Sequence, residues 1–420
     1  METMDAYLLR KQDELRLLET CLDAPLALSA PTSIDDVIAS KFKLTAAIRA
    51  QHDLKNWTAT ETAWSQRKKS SDGPFDFRYD YQRADLDVVG PSFYDLANDF
   101  ECETIYTSSG MASISALLLA SSHFFERADF VVMPGTYGET LEFVETFAPH
   151  LQAMPLGDVS SPRAKGAPQR ILLLDSSASA RHFDACLRSP WTQFQLCIFD
   201  SSCLASGSGK IGRALRKARS EKVPIVFVRS HTKLDSLGVE YGRLGSTTFV
   251  RASEDERWGG SFLGPLPNEV RNAVRLLGGA ALPAHFPPFV GKPGYRSLTS
   301  KRVAAIVRNG RRSACVLRAE LGDLVGQADR ANGLYVLLKR RRPLGEAEAR
   351  QAASQMSQDL SDDGLPIRHA GSFGFDFAAT EWFHDVAADD FSVRLAAGDL
   401  PAEVWEQLLH ALARWWREHS

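Results

Sequence analysis

The sequence lacks paired cysteines. Its six, Cys21, Cys102, Cys186, Cys197, Cys203 and Cys315, lie scattered without a CxxC pair, which argues against a disulfide framework or a structural zinc site and for a reduced, cytoplasmic chain. It also lacks any run of about 18 uncharged apolar residues, so no membrane span is expected. The opening METMDAYLLRKQDELRLLET mixes acids and bases through its apolar positions and does not read as a secretory signal. An excess of charge is missing as well: 49 Lys and Arg against 52 Asp and Glu leave a net charge of −3. No global field therefore attracts a nucleic-acid backbone. Histidine is sparse, with ten residues, no two of them at metal-ligand spacing, so no metal site is expected.

What is present is ordinary globular material, 44% hydrophobic and 24% charged over 420 residues. That is enough for two or three domains at roughly 100–200 residues each. Residues 1–75 read as a helical arm ending in a polar stretch, WSQRKKSSDGPFD, taken as a loop from its Ser, Lys, Gly and Pro content. From about Cys102, short apolar runs alternate with helical periods. Strands are expected at Thr104–Thr107, Asp129–Met133, Arg170–Leu174, Gln195–Phe199 and Pro224–Val228, with helices between them, as in a mostly parallel sheet covered by helices on both faces. A Gly/Pro-rich passage after Val250 marks the way into another domain, with the boundary placed near residue 285. The expected division is 1–75 arm, 76–285 large α/β domain and 286–420 smaller C-terminal α+β domain. The last opens with a helix around Ser300–Leu321, continues through the strand-like GLYVLLK and closes with the helix PAEVWEQLLHALARWWRE.

Open α/β sheets bind ligands beyond the carboxyl ends of their strands, so those ends carry the candidates. After Thr107 comes Ser108-Ser109-Gly110-Met111-Ala112, a small-residue turn opening a helix whose free N–H groups suit a phosphate. Pro134-Gly135-Thr136-Tyr137-Gly138 puts an aromatic ring at the next strand end, either packed or stacked on a planar ligand. Asp200 leaves an apolar strand, where burial demands a partner. Ser230-His231-Thr232-Lys233 follows another strand, its Lys either a surface residue or a Schiff-base former. Two other features are set aside. Gly207-Ser208-Gly209-Lys210 fails the P-loop pattern at Leu204 and Ile211, and the basic run Lys339–Arg342 reads as a solvated strand end.

Together, in this order, these residues resemble the pyridoxal 5'-phosphate (PLP) enzymes of fold type I, in particular the cystathionine γ-synthase, cystathionine γ-lyase and methionine γ-lyase family. SSGMA resembles that family's phosphate turn, YGET its Y-G-G-T segment, IFDSS its V-V-D-N-T and SHTK its S-A-T-K. Tyr81-Gln82-Arg83 resembles the Y-S-R that reaches a neighbouring subunit, Ser372-Phe373-Gly374 its S-L-G, and Arg394-Leu395-Ala396-Ala397-Gly398-Asp399 its R-L-S-V-G-x-E. The likeness spans about residues 78–412 and leaves the arm unmatched.

The resemblance implies a set of roles. Lys233 would carry the cofactor and move protons, with Tyr137 and Asp200 as the other catalytic groups. Ser109, Gly110, Met111, Ser202, Ser230 and Thr232 would join Tyr137, Asp200 and Lys233 in holding PLP. Tyr81 and Arg83 would reach the neighbouring active site of a homodimer or homotetramer, and Ser372 and Arg394 would bind the amino-acid substrate. The implied activity is a lyase or transferase performing γ- or β-elimination or replacement on a sulfur amino acid or O-activated homoserine. The alternatives are an aminotransferase, racemase or decarboxylase of a specialised pathway, or a non-catalytic protein of the same fold. Departures cluster where a substrate would lie: Ser179 stands for the family's Asn that reaches the cofactor's ring oxygen, His231 for Ala, and Glu139 for a small residue.

Overall fold

A computed structural model describes residues 2–55, 64–81, 86–96, 100–159, 166–252, 263–326, 330–385 and 390–419, with the side chains of 55, 64–72, 79–81, 252 and 330 left undescribed. The chain divides into two compact units, one made of residues 53–232 and 241–288, the other of residues 1–52, 233–240 and 289–420.

The first unit begins with β1 (Trp64–Asp72), β2 (Phe75–Tyr81) and β3 (Asp87–Val89), an antiparallel sheet in that order. The stretch expected to be a loop is thus mostly strand. Gly73-Pro74 is the hairpin turn, with Asp72 paired to Phe75 and Gly73 at φ 59, and the polar β1 needs only one neighbour because it forms a sheet edge, where Lys is favoured. Phe75 and Phe77 are buried and meet Phe286 at centroid distances of 5.2 and 5.0 Å.

The main sheet alternates with helices: β4 (Phe100–Thr107), α3 (Gly110–Ser121), β5 (Ala128–Val132), α4 (Gly138–Phe147), β6 (Leu151–Pro155), β7 (Gln169–Asp175), α5 (Ala180–Arg188), β8 (Leu196–Asp200), α6 (Gly209–Glu221), β9 (Ile225–Ser230), β10 (Gly245–Ala252) and α7 (Leu266–Leu276). Its seven strands lie in the order β4-β10-β9-β8-β7-β5-β6. All neighbours are parallel except β10, which is antiparallel to both β9 and β4. Strand side chains alternate between two cores. Phe130, Ile171, Leu173, Ile198, Val226 and Val228 face α3, α4 and α7; Val131, Leu172, Leu174, Cys197, Phe199 and Phe227 face α5 and α6. The expected architecture, a mostly parallel sheet with helices on both faces and a smaller C-terminal sheet, is the one observed.

In the second unit α1 (Met4–Glu19) and α2 (Ile34–Lys55) form the arm. Thr3 Oγ1 caps α1 by accepting the Ala6 N–H at 3.3 Å, and Ser33 Oγ caps α2 by accepting the Asp36 N–H at 3.1 Å. The arm is a packed element: Tyr7, Leu18, Val37, Leu44 and Ile48 are buried. The long α8 (Tyr295–Leu321) leads to β11 (Tyr335–Leu338), α9 (Glu346–Asp362), β12 (Ile367–His369), β13 (Ala378–Asp385), β14 (Asp390–Ala396) and α10 (Ala402–Glu418), with the strands ordered β11-β14-β13-β12. Trp405 on α10 is buried and donates to the Asn309 carbonyl at 2.8 Å. The basic run is a strand end with partners, Lys339 pairing with Asp390 and Arg342 with Glu348. Among the described residues no helix is long and apolar enough to cross a membrane.

Candidate active site

Because β5, β7, β8 and β9 are parallel, and β4 runs with them, their carboxyl ends open on one edge of the sheet. Five turns lie there, and those after β8 and β9 are joined by a chain of polar contacts. Asp200 ends β8 in register with Asp175 at the end of β7. Asp200 Oδ1 accepts the Ser202 N–H at 2.9 Å, and Ser202 Oγ accepts the Ser230 N–H at 2.9 Å. Ser230 Oγ in turn lies 3.0 Å from Thr232 Oγ1. The structure therefore joins Asp200, Ser202, Ser230 and Thr232 as one strip.

The amino end of α3 adjoins this strip. Ser109 is its N-cap, extended at φ −167, with Oγ accepting the Ala112 N–H at 3.0 Å. The remaining first-turn N–H groups, including those of Gly110 and Met111, carry the positive end of the helix dipole. Gly110 is pressed against Ser230, where a Cβ would come within 2.9 Å of Ser230 Cβ. Only glycine allows the helix end this close to the hydroxyl pair, so N–H groups and hydroxyls make one anion-sized cradle.

Asp175 was not anticipated. It is buried, its Oδ2 accepting the Tyr137 N–H at 2.8 Å and its Oδ1 the Ser177 N–H at 2.7 Å. Tyr137, half-buried at the start of α4, is thereby tied to the acid pair through its backbone. Burial, and then the charge of Asp200, push the Asp175 carboxyl up to about 7. Among the described residues neither carboxylate makes an ion pair. The signal was available in the sequence as an acid directly after the apolar run Ile171–Leu174, the same position relative to its strand that drew notice to Asp200.

Two departures noted in the sequence are structural. Ser179 caps α5, its Oγ accepting the His182 N–H at 3.2 Å. His231 is buried, its ring tilted by 31° against Phe93 with centroids 3.9 Å apart, and its Nε2 lies 2.8 Å from Ser246 Oγ.

In the other unit, Lys233 Nζ sits 4.7 Å from the centroid of the Phe373 ring, beside Ser372 in sequence. Gly374, at φ 98, packs on the Lys233 carbonyl. Arg394 lies mid-sheet opposite Glu381, with Nη2 2.6 Å from Glu381 Oε2, and its buried Nε has no acceptor among the described residues. The Tyr81 backbone pairs with Trp64 at the end of β2; its side chain, and Arg83 entirely, lie outside the described residues.

The first unit is of the doubly wound α/β class, with a polar crevice at its strand ends. No family model and no curated protein matches the chain. Among solved structures it is similar to cystathionine gamma synthase from Xanthomonas oryzae pv. oryzae in complex with cystathionine, at 17% identity over 76% of this chain and 82% of that one, with a TM-score of 0.49. Cystathionine gamma-lyase from Lactobacillus plantarum complexed with L-serine gives 13% identity, 74% and 81% coverage and a TM-score of 0.49. MppP soaked with the product 2-ketoarginine gives 11%, 74% and 82%, and 0.45. Similarity at this level leaves the chemistry to rest on the chain's own residues.

Proposed function

We propose that the protein is a PLP-dependent enzyme acting on amino acids, with the cofactor carried on Lys233. One observation supports this above the others: Asp200, which lies in register with Asp175 and makes no ion pair among the described residues, is linked through Ser202 to Ser230 and Thr232, beside a cradle suited to an anion. A ligand matching both ends is a flat molecule with a protonated nitrogen at one side and a phosphate at the other. PLP has that distribution of charge, and the residues present fit it.

In this reading the N–H groups of Gly110 and Met111, the Ser109 turn and the hydroxyls of Ser230 and Thr232 hold the phosphate. Asp200 would keep the ring nitrogen protonated, and Asp175 fixes Tyr137 through its N–H. Tyr137 stacks on the ring. When bound, PLP supplies an electron sink for charge left at a substrate's α-carbon. Lys233 provides the amine that carries it and that takes and returns protons. Arg394 orients the substrate carboxylate with its planar fork, next to Ser372. Tyr81 and Arg83 complete a neighbouring site in a homodimer or homotetramer.

The reaction is a γ- or β-elimination or replacement on a sulfur amino acid or activated homoserine. Ser179 Oγ accepts the His182 N–H in capping α5, so the family's Asn amide is replaced there by a shorter hydroxyl. Product analysis therefore also scores transamination, racemisation and decarboxylation. The test is a panel of O-acetylhomoserine, cystathionine and methionine given to PLP-treated protein. Release of 2-oxobutanoate and ammonia is expected. A protein whose absorbance does not change with PLP or with any amino acid would sink the reading.

A further inference from the structure

We infer that the N-terminal arm is a positioning element for the loop that follows Lys233, and that Lys41 on α2 is the residue through which it acts. The significance for catalysis rests on the reading of Lys233 given above.

Residues 233–240 belong to the same compact unit as the arm. The loop is bent: Leu237, Gly238 and Glu240 have φ of 53, 82 and 44. Left-handed backbone at two residues other than glycine is held only when the surroundings over-determine it. Those surroundings are visible. Lys41 Nζ donates to the Leu237 carbonyl at 2.8 Å, Tyr295 Oη to the Asp235 carbonyl at 2.8 Å, and Ser236 Oγ to the Lys233 carbonyl at 3.1 Å. Gly238 lies against the Arg302 guanidinium, where a Cβ would be 2.1 Å from Nη2.

Lys41 is itself fixed by a buried lattice of charge. It pairs with Glu14 and, at 2.7 Å, with Asp376. Arg302 on α8 binds Asp376 at 2.6 Å and the Gly374 carbonyl at 2.6 Å. Lys11 binds Asp376 and Asp399, each at 2.5 Å, and Arg10 binds Asp399 at 2.7 Å. Glu14, Asp376 and Asp399 converge closely enough to suit a metal ion, but Lys11, Lys41 and Arg302 already supply the positive charge there. Burial alone would raise the Asp376 carboxyl, and the charges of Arg302, Lys11 and Lys41 overcome it and hold the group well below its usual range.

A buried ionic lattice is a poor source of net stability, because desolvation offsets its attraction and well-packed apolar residues often serve as well. Apolar packing would anchor the arm. It would not aim a donor at one carbonyl of a strained loop, which is what Lys41 does. The lattice also reaches Gly374, whose backbone packs on the Lys233 carbonyl, so the arm braces the lysine's backbone from both sides.

The experiment is amide hydrogen exchange on the full-length apoprotein, wild type against Lys41→Met. Peptides covering 234–240 should exchange at least about tenfold faster in the variant, as expected for loss of one hydrogen bond from a charged donor. Peptides covering β8 should be unchanged, which certifies the fold. If Lys41→Met does not fold, Glu14→Gln, which keeps the Lys41 donor but loosens its seat, carries the test with the same expectation. Unchanged exchange at 234–240 in a folded variant overturns the inference. In parallel, borohydride fixation of PLP on Lys233 should be several-fold slower in the variant. If the wild type takes up no PLP, the cofactor reading fails, while the exchange result still decides the role of the arm.

Discussion

Replacing Asp175 by Asn tests the acid pair at the sheet edge. A carboxyl raised from its ordinary 3.8 to about 7 corresponds to roughly 4 kcal/mol at 1.36 kcal/mol per pH unit, taken as an upper bound. Between pH 3.8 and about 7 the folded chain holds a proton that the unfolded chain has released. Stability of the apoprotein therefore falls as pH rises through that window, and the loss is complete above about pH 7. Asn removes the titration but keeps one oxygen for the N–H of Tyr137 or Ser177; the bond it gives up is lost equally at every pH. Urea denaturation of both proteins at pH 5 and pH 8 isolates the pair, because all other groups titrate in both. Between these two pH values the wild type should lose roughly 2–3 kcal/mol more than the variant. Parallel pH dependence in the two proteins would refute the raised titration of Asp175.

Three further changes probe the rest of the structure. Gly110→Ala brings a methyl group within 2.9 Å of Ser230 Cβ; it should destabilise by about 1–3 kcal/mol and weaken binding of PLP far more than that of pyridoxal lacking the phosphate, measured by fluorescence titration. Glu381→Gln removes the anion 2.6 Å from Arg394 and should lower KM for an amino-acid substrate several-fold with little change in kcat; an unchanged KM would show that Arg394 does not hold the carboxylate. Trp405→Ala empties a fully buried site and deletes the bond to the Asn309 carbonyl, with an expected loss of about 3–5 kcal/mol in urea denaturation.

β5, β7, β8 and β9 were legible because each is a short, almost wholly buried apolar run, whereas β6, largely exposed, and the polar-opening β10 were not expected. Ile171–Leu174 is entirely buried, and its expected and observed limits differ by one residue at each end. β1 escaped notice because an edge strand with one hydrogen-bonded neighbour needs no apolar alternation, and its Gly73-Pro74 turn was read as part of a longer loop. Asp200 stood out as an acid closing an apolar strand, and Asp175 had the same credentials but was not read as a charge needing a partner. The lattice around Lys41 was invisible for a different reason. Its members, such as Lys11 and Asp399 at 388 residues of separation, share no local pattern, and only the packing of the arm on α8 brings them together.

The most direct measurement is to mix the protein with PLP, reduce with borohydride, digest, and locate the phosphopyridoxyl group by mass spectrometry. The expected result is one modified peptide, with the label on Lys233 and absent from a Lys233→Ala variant. Label on another lysine, or label that persists in the variant, would contradict the central claim.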